Sequence, residues 1–311
     1  MTRETYLELP KIPRRQRQLD DAARAEAPGK FVALSDGITH YEIAGPEVAS
    51  SEAVRRPVVF VHGFSVPSFV WEPTFRELAD AGFRVVRYDL LGRGYSDRPR
   101  ACYDQELFDH QLRDLIGGLA LEVPVDLVGL SMGGAIAVGF TDRHPATVRR
   151  LVLIDPAGYS VKGPPGSGLL RVPLLGELLM ATVGRRILMN SLASDVEADS
   201  QRRMGEELSE LARRYAIQAQ YKGFWRALLS TIRHGPIRNM ANAYARIGRH
   251  DRRVLLIWGR EDRTVPFVLN ERVRKAIPRA EFHPIDGAAH APHLEQPDVV
   301  NPILVDFLSR R

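Results

Sequence analysis

The stretch that decides the fold is Gly129-Leu130-Ser131-Met132-Gly133. It has the pattern G-x-S-x-G, in which a serine lies on a tight turn between a strand and a helix. The turn strains the serine backbone, and a side chain at either glycine would collide with the flanking strand or helix. The pattern is short, and it also describes an ordinary glycine-rich junction between a strand and a helix. The rest of the chain decides between these two interpretations.

Strands alternate with helices on both sides of this junction. Apolar runs and alternating patterns predict strands at 31–34, 39–43, 58–61, 83–88, 125–128, 151–155, 254–258 and 280–284. Helical spacing predicts helices at 71–81, 104–121, 132–143, 265–276 and 297–308. The first two strands are joined across Asp36-Gly37 and are expected to form a β-hairpin. The alternation predicts an α/β fold in which helices cover both faces of a parallel sheet.

The alternation stops after residue 155 and returns at the strand that begins at 254. Between them only helical patterns occur, at 169–181, 184–192, 206–221 and 224–233. We interpret this stretch as a helical insertion in the α/β core. The predicted organisation is therefore a polar N-terminal arm at 1–30, a first core part at 31–155, a helical cap at 156–245 and a second core part at 246–311.

Composition and charge are those of an ordinary globular protein. The chain has 311 residues, of which 44% are hydrophobic and 26% charged, enough for one large α/β core or two small ones. Its net charge of +5 is the difference between 43 basic residues, mostly arginine, and 38 acidic ones. The arginines are scattered along the chain, which argues against a nucleic-acid partner. Cys102 is the only cysteine, so no internal disulfide is expected. No signal-peptide core or long apolar run occurs, which predicts a cytoplasmic protein without stable membrane insertion.

A serine nucleophile needs a base within hydrogen-bond reach, and that base is oriented by a carboxylate. Asp262 follows one predicted strand, and His290 lies in a glycine-led loop after the next one. Ser131, Asp262 and His290 are therefore the predicted catalytic residues. Glu261 and His293 stay open as the alternative acid and base. Asp262 could instead cap the following helix, and His290 could be a solvated loop residue.

Acyl transfer also needs N–H donors for the oxygen that becomes negatively charged. The backbone N–H of Met132 follows the serine at a helix N-terminus, where the helix dipole favours negative charge. The backbone N–H of Phe64, in His62-Gly63-Phe64 after a predicted strand, is the second predicted donor. Both donors are inferred from position alone. His62 is interpreted as bracing this loop and not as a base.

The predicted cap is rich in apolar residues. Most of them are expected to pack the cap onto the sheet, but the first cluster is apolar on more than one helical face. Leu174, Leu178 and Trp225 are predicted to line the substrate pocket. An apolar pocket of this kind would favour an uncharged acyl group of short to medium length.

With these residues in place, the chain resembles the α/β-hydrolase fold superfamily, in its compact branch with a helical lid. The resemblance covers residue 31 to the C-terminus and is carried by His62-Gly63-Phe64, Asp89 to Pro99, Gly129 to Gly134, Trp258 to Asp262 and Gly287 to His290. It implies an eight-stranded, mostly parallel sheet, a helical cap after the sixth strand, and a mechanism without metal or organic cofactor. Asp89, Arg93 and Ser96 are interpreted as structural.

The serine also narrows the predicted reaction. Haloalkane dehalogenases and epoxide hydrolases of this fold use an aspartate where this chain has Ser131. What remains resembles carboxylesterases and monoacylglycerol-lipase-like enzymes, which implies hydrolysis of a small-molecule ester through an acyl-enzyme. A carbon–carbon bond hydrolase or a lactonase with the same triad is the alternative. A ligand receptor built on the same fold is less favoured.

Overall fold

The computed structural model describes residues 16–47, 56–160, 167–180, 182, 200, 204–237 and 239–310. Within these ranges the chain forms eight strands in one sheet and eleven α-helices. None of the described helices combines the length and apolar character needed to cross a bilayer.

The strands confirm the predicted sheet. They are β1 (Lys30–Leu34), β2 (Gly37–Ala44), β3 (Val58–Val61), β4 (Val85–Tyr88), β5 (Val125–Leu130), β6 (Val148–Ile154), β7 (Arg253–Gly259) and β8 (Glu281–Ile285). Their order in the sheet is β1-β2-β4-β3-β5-β6-β7-β8. The β1–β2 hairpin and the β2–β4 pair are antiparallel, and all other neighbours are parallel.

Helices separate the parallel strands. They are α1 (Asp21–Ala25), α2 (Glu72–Asp80), α3 (Gln105–Gly118), α4 (Met132–Arg143), α5 (Leu175–Leu179), α6 (Gly205–Ala219), α7 (Phe224–His234), α8 (Ala241–Ile247), α9 (Asn270–Ala276), α10 (Pro292–Glu295) and α11 (Pro297–Ser309). Helices α5 to α8 lie between β6 and β7, as the predicted insertion after the sixth strand requires.

The central strands β3, β4 and β5 are buried on both faces of the sheet. Successive side chains of such a strand point to opposite sides. In β3, all of which is buried, Val59 and Val61 belong to one apolar core while Val58 and Phe60 belong to the other. Such strands read as continuous apolar runs, which is why the sequence predicts them well. The parallel strands all end at one edge, and the loops that follow β3, β5, β6, β7 and β8 meet there.

The inserted segment differs in detail from its prediction. The helix expected at 169–181 is a short 3₁₀ turn at Ser167–Arg171 followed by α5. The helical pattern at 184–192 lies outside the described residues. Helix α8 packs on α4 and α9 of the core, and the cap boundary expected at residue 245 falls inside it.

The described part of the N-terminal arm lies against the inserted helices. The backbone N–H of Arg17 donates to the carbonyl of Gln220, and the N–H of Lys222 donates to the carbonyl of Arg17, both at 2.9 Å. The guanidinium of Arg24 pairs with Asp97 at 2.5 Å, in the loop after β4. The arm therefore contacts both the inserted segment between α6 and α7 and the loop after β4 in the core.

Candidate active site

Ser131 occupies a strained turn between β5 and α4. Its backbone has φ 54° and ψ −118°, a region that residues other than glycine rarely adopt. A Cβ atom on Gly129 would lie 2.5 Å from the carbonyl oxygen of Gly133, so the turn closes only with glycine at this position. The Ser131 N–H donates to the carbonyl of Ile154, and the Ser131 carbonyl accepts from the N–H of Ala157, both at 2.9 Å. These two hydrogen bonds hold the strained turn at Ser131 against the end of β6 and the residues that follow it.

The loop after β3 lies directly beside this serine. A Cβ atom on Gly63 would be 3.5 Å from Cβ and 4.0 Å from Oγ of Ser131. Phe64, the residue expected to supply one oxyanion donor, is next in the chain. Met132, the other expected donor, is the first residue of α4, where an N–H has no carbonyl one turn earlier in the helix. The loop after β3 and the start of α4 therefore both lie next to the serine, and the assignment of the Phe64 and Met132 N–H groups as oxyanion donors stays a prediction.

Asp262 and His290 meet at the same edge of the sheet. Nδ1 of His290 lies 2.8 Å from Oδ2 of Asp262, and both side chains are buried. Oδ1 of Asp262 accepts hydrogen bonds from the backbone N–H groups of Thr264 and Val265, at 2.8 and 2.9 Å. One carboxylate oxygen is thus held by the loop and the other faces the imidazole. Glu261, the alternative acid, is exposed.

The other histidines near the site have different surroundings. His293 lies in α10, fully buried against Trp71 with ring centroids 4.4 Å apart, and burial lowers its pKa to about 3. Burial lowers the pKa of His62 to about 4. Nε2 of His62 accepts from the N–H of Leu90 at 2.9 Å, and Nδ1 is 2.9 Å from the carbonyl of Gly63. Both rings are therefore neutral, and His62 braces the loop that carries Phe64.

Two buried carboxyl groups belong to this site, and the sequence reasoning did not place either there. Oε1 of Glu295 accepts from the N–H groups of Ala289 and Ala291 at 3.0 Å, which fixes the loop on both sides of His290. Asp155 follows β6 and is completely buried. Its place at the carboxyl end of an apolar strand is the feature that singled out Asp262, and it could have identified Asp155 as well.

Asp155, Asp262 and His290 each bring one oxygen or nitrogen to within 4.8 Å of the others. Burial and the nearby Asp262 charge raise the pKa of Asp155 well above its usual range. Side chains of these types also bind metal ions. Here the hydrogen bond between Asp262 and His290 already uses two of the three groups, so we interpret the cluster as one that handles protons.

The loop after β3, which carries Phe64 and is called the oxyanion loop below, is joined to the inserted helices by the buried side chains of Arg93 and Gln218. Nε of Arg93 donates to the carbonyl of Phe64 at 2.9 Å, and Nη2 donates to Oγ1 of Thr231 in α7 at 2.8 Å. Nε2 of Gln218, in α6, donates to the carbonyl of Ser65 at 2.9 Å. The position of the loop thus depends on the inserted segment as well as on the sheet.

The three predicted pocket residues have different environments. Leu174, directly before α5, is 84% exposed, and Leu178, within α5, is 59% exposed. The pocket role predicted for these two leucines is therefore not supported. Trp225 is 7% exposed and packs with Phe69 and Leu229 in an apolar cluster that Phe64 borders.

Comparison with known proteins agrees with this geometry. Residues 58–303 match the alpha/beta hydrolase family. The chain belongs to that family. The alpha/beta hydrolase assignment confirms the fold and a hydrolase activity, and it leaves the substrate open.

Relatives of this alpha/beta hydrolase include hydrolases named for unsaturated hydroxy-oxo acids. A 2-hydroxymuconate semialdehyde hydrolase from Pseudomonas sp. is 31% identical over 262 residues, covering 81% of this chain and 87% of that protein. A 2-hydroxy-6-oxononadienedioate/2-hydroxy-6-oxononatrienedioate hydrolase from Cupriavidus pinatubonensis is 29% identical over 293 residues, covering 90% and 94%. The crystal structure of an enol-lactonase from Burkholderia xenovorans superposes with a TM-score of 0.76 at 22% identity, covering 90% and 100%, and supports the fold alone.

Proposed function

We propose that this alpha/beta hydrolase cleaves a carbon–carbon bond next to a carbonyl group, in substrates of the 2-hydroxymuconate semialdehyde type. Ser131 is the nucleophile, His290 the base and Asp262 the acid that orients it. The observation that carries the nucleophilic mechanism, which carbon–carbon and ester cleavage share, is the 2.8 Å contact between Asp262 and His290, at the sheet edge where the strained Ser131 also lies. The names of the relatives support the substrate class.

The first half of the reaction forms an acyl-enzyme. His290 removes the hydroxyl proton as Oγ of Ser131 bonds to the carbonyl carbon, and the carbonyl oxygen takes up the electron pair. The N–H groups of Phe64 and Met132 stabilise that oxyanion, each donor being worth roughly 10²–10³ in rate. Asp262 stabilises the imidazolium that results. The carbonyl then reforms and expels the leaving group, which takes the proton from His290.

The two candidate reactions differ in the leaving group. An ester expels an alcohol, whose oxygen carries the electron pair without further help. A carbon leaving group needs a conjugated carbonyl to accept the pair. In the 2-hydroxy-6-oxo dienoate skeleton of the relatives' names, the enol proton must first move from the 2-hydroxyl to C5, so that a 2-oxo group conjugated through the remaining C3=C4 bond takes up the pair when the C5–C6 bond breaks. Water then hydrolyses the acyl-enzyme with His290 as base, and the serine regains its proton.

Hydrolysis of carboxylic esters with short to medium apolar acyl chains is the second candidate. The apolar cluster beside the oxyanion loop favours it, since Trp225, Phe69 and Leu229 would contact an acyl chain more readily than a carboxylate. A lactone would be opened by the same steps. The monoacylglycerol-lipase-like branch implied by sequence resemblance has no other support.

A substrate panel separates these candidates. The kcat/KM for 2-hydroxymuconate semialdehyde should exceed that for p-nitrophenyl esters from acetate to octanoate, by about tenfold or more, because the enzyme discriminates by transition-state binding. Ser131→Ala should abolish turnover while Ser209→Ala, at an exposed serine, should leave it intact. A preference for esters that rises with chain length would make the second candidate the function. Turnover by folded Ser131→Ala would contradict both.

A further inference from the structure

Asp155 lies between the elements that carry the nucleophile and the acid. It follows β6 with φ 44°, and its N–H donates to the carbonyl of Ile257 in β7 at 3.0 Å. The residue before it, Ile154, accepts from the N–H of Ser131 at 2.9 Å. Positive φ is uncommon outside glycine, so tertiary contacts must hold this conformation.

The side chain of Asp155 is only half satisfied. Oδ1 accepts from the N–H of Gly259 at 2.9 Å. Oδ2 is completely buried and meets no N–H or O–H donor among the residues that the structure describes. The carboxyl group lies within 4.8 Å of an oxygen of Asp262 and a nitrogen of His290. Two carboxylate charges this close in a buried site repel each other strongly, and one proton between them removes the repulsion.

The donors around each carboxyl group indicate which one holds that proton. Asp262 is in hydrogen-bond contact with the N–H groups of Thr264 and Val265 and with Nδ1 of His290. Asp155 has one backbone donor, and the charge of Glu295 in α10 also faces it. Hydrogen bonds to the charged form favour ionisation, so the carboxyl group with fewer donors, Asp155, is the one that holds the proton. Burial and the Asp262 charge, in that order, raise the pKa of Asp155.

We propose that Asp155 is a positioning residue that stays protonated and donates a hydrogen bond from Oδ2 to the Asp262 carboxylate. The inference rests on the proposed function, in which Asp262 orients His290. The bond fixes the Asp262 carboxylate toward the imidazole. It also draws charge from Asp262 and so limits how strongly that carboxylate stabilises the imidazolium.

Two variants test the hydrogen bond. Asp155→Gly accommodates the positive φ and removes the carboxyl group, and should lower kcat about ten- to a hundredfold with little change in KM. It should also move the acidic limb of the kcat/KM profile to higher pH, because Asp262 then acts on His290 with its full charge. Asp155→Asn keeps an acceptor for Gly259 and a donor for Asp262, and should recover most of the lost rate and the native pH profile. A loss in Asp155→Asn as large as in Asp155→Gly would overturn the proposal.

Infrared spectroscopy tests the proton without any substrate. At neutral pH the native protein should show a buried carboxylic-acid C=O band that is absent from Asp155→Asn. Absence of that band from the native protein would overturn the proposal, whatever the variants do to the rate. If the band is present and Ser131→Ala still turns over substrate, the proposed function fails while the protonated Asp155 stands.

Discussion

Nε of Arg93 donates a hydrogen bond to the carbonyl oxygen of Phe64 at 2.9 Å, directly behind the loop that carries a predicted oxyanion donor. Arg93 is completely buried, and burial lowers its pKa to about 10. No carboxylate pairs with it in the described part of the chain. Its other hydrogen bonds go to the carbonyl of Leu91 and to Oγ1 of Thr231. This guanidinium therefore joins the oxyanion loop to the loop after β4 and to α7.

Replacing Arg93 should reduce catalysis through the position of Phe64. Arg93→Lys keeps a positive charge but loses the planar set of donors, so it cannot reproduce the three bonds. We expect kcat to fall about 10²-fold with little change in KM. The free energy of unfolding should fall by about 3 kcal/mol, because the buried carbonyls lose their donors.

The matched control is Arg113→Lys on the surface of α3, where the side chain is 52% exposed. It should change neither kcat nor stability measurably. Native kcat in folded Arg93→Lys would contradict the role assigned to this guanidinium.

Asp262→Asn tests the orientation of the base. The amide keeps the size of the side chain but presents no charge to the imidazole, and we expect kcat to fall about 10⁴-fold. The neighbouring exposed Glu261→Gln is the control and should retain native kcat. If Glu261→Gln had the larger effect, the acid would be misassigned.

Gly129 tests the close approach of β5 and α4. Gly129→Ala places a methyl group 2.5 Å from a backbone carbonyl oxygen, and we expect a loss of stability of about 3 kcal/mol or more, measured by denaturant unfolding. Gly117→Ala in α3 is the control, since a Cβ there meets nothing within 4 Å. It should stabilise the protein by about 0.5–1 kcal/mol. If Gly129→Ala and Gly117→Ala changed the free energy of unfolding by the same amount, that result would contradict the close contact between Gly129 and Gly133.

His40 should make stability depend on pH. Its Nδ1 lies 2.8 Å from Oδ2 of Asp89, and its Nε2 contacts the carbonyl of Pro28. Burial alone lowers the pKa of His40, but the Asp89 charge and hydrogen bond outweigh it and raise the pKa above 6.5. Burial would raise the pKa of Asp89, yet His40 and neighbouring donors hold it well below its usual range. Above pH about 5 Asp89 is therefore ionised in the folded protein.

A raised histidine pKa stabilises the folded state fully below the unfolded value and loses that effect as pH rises through the folded value. The native protein should therefore exceed His40→Gln in free energy of unfolding by more at about pH 6 than at about pH 9. Chemical unfolding at both pH values measures the difference. If the difference in free energy of unfolding between the native protein and His40→Gln stayed constant or grew as the pH rises, that result would contradict a charged pair between His40 and Asp89.

Most of the fold could be predicted from the sequence because the patterns that mark its strands and helices involve residues close together in the chain. The buried strands are apolar runs, and α4 has the bounds expected for the helix that follows the G-x-S-x-G pattern. Helix α8 was not predicted, since its seven residues are too few for a clear helical period. The exposure of Leu174 and Leu178 could not be predicted, because the residue type does not show whether an apolar side chain on a short helical segment points inward or outward.

The site could be predicted in part. Asp262 and His290 follow two successive predicted strands, and the structure places them in contact. The sequence predicts Asp155 as the last residue of a strand. An aspartate in the sequence does not show whether its carboxyl group will keep its proton or ionise in the folded protein. The substrate depends on pocket side chains and not on the triad. This is why the sequence predicts ester hydrolysis, whereas the names of the relatives point to a different substrate class.

The most direct measurement is covalent labelling with a fluorophosphonate, followed by mass spectrometry of the peptides and a turnover assay on the same sample. We expect one label per chain, on Ser131, with loss of turnover in proportion to labelling and no labelling of Ser131→Ala. Labelling at another residue, or full turnover by protein whose Ser131 is modified, would contradict the assignment of this serine as the nucleophile.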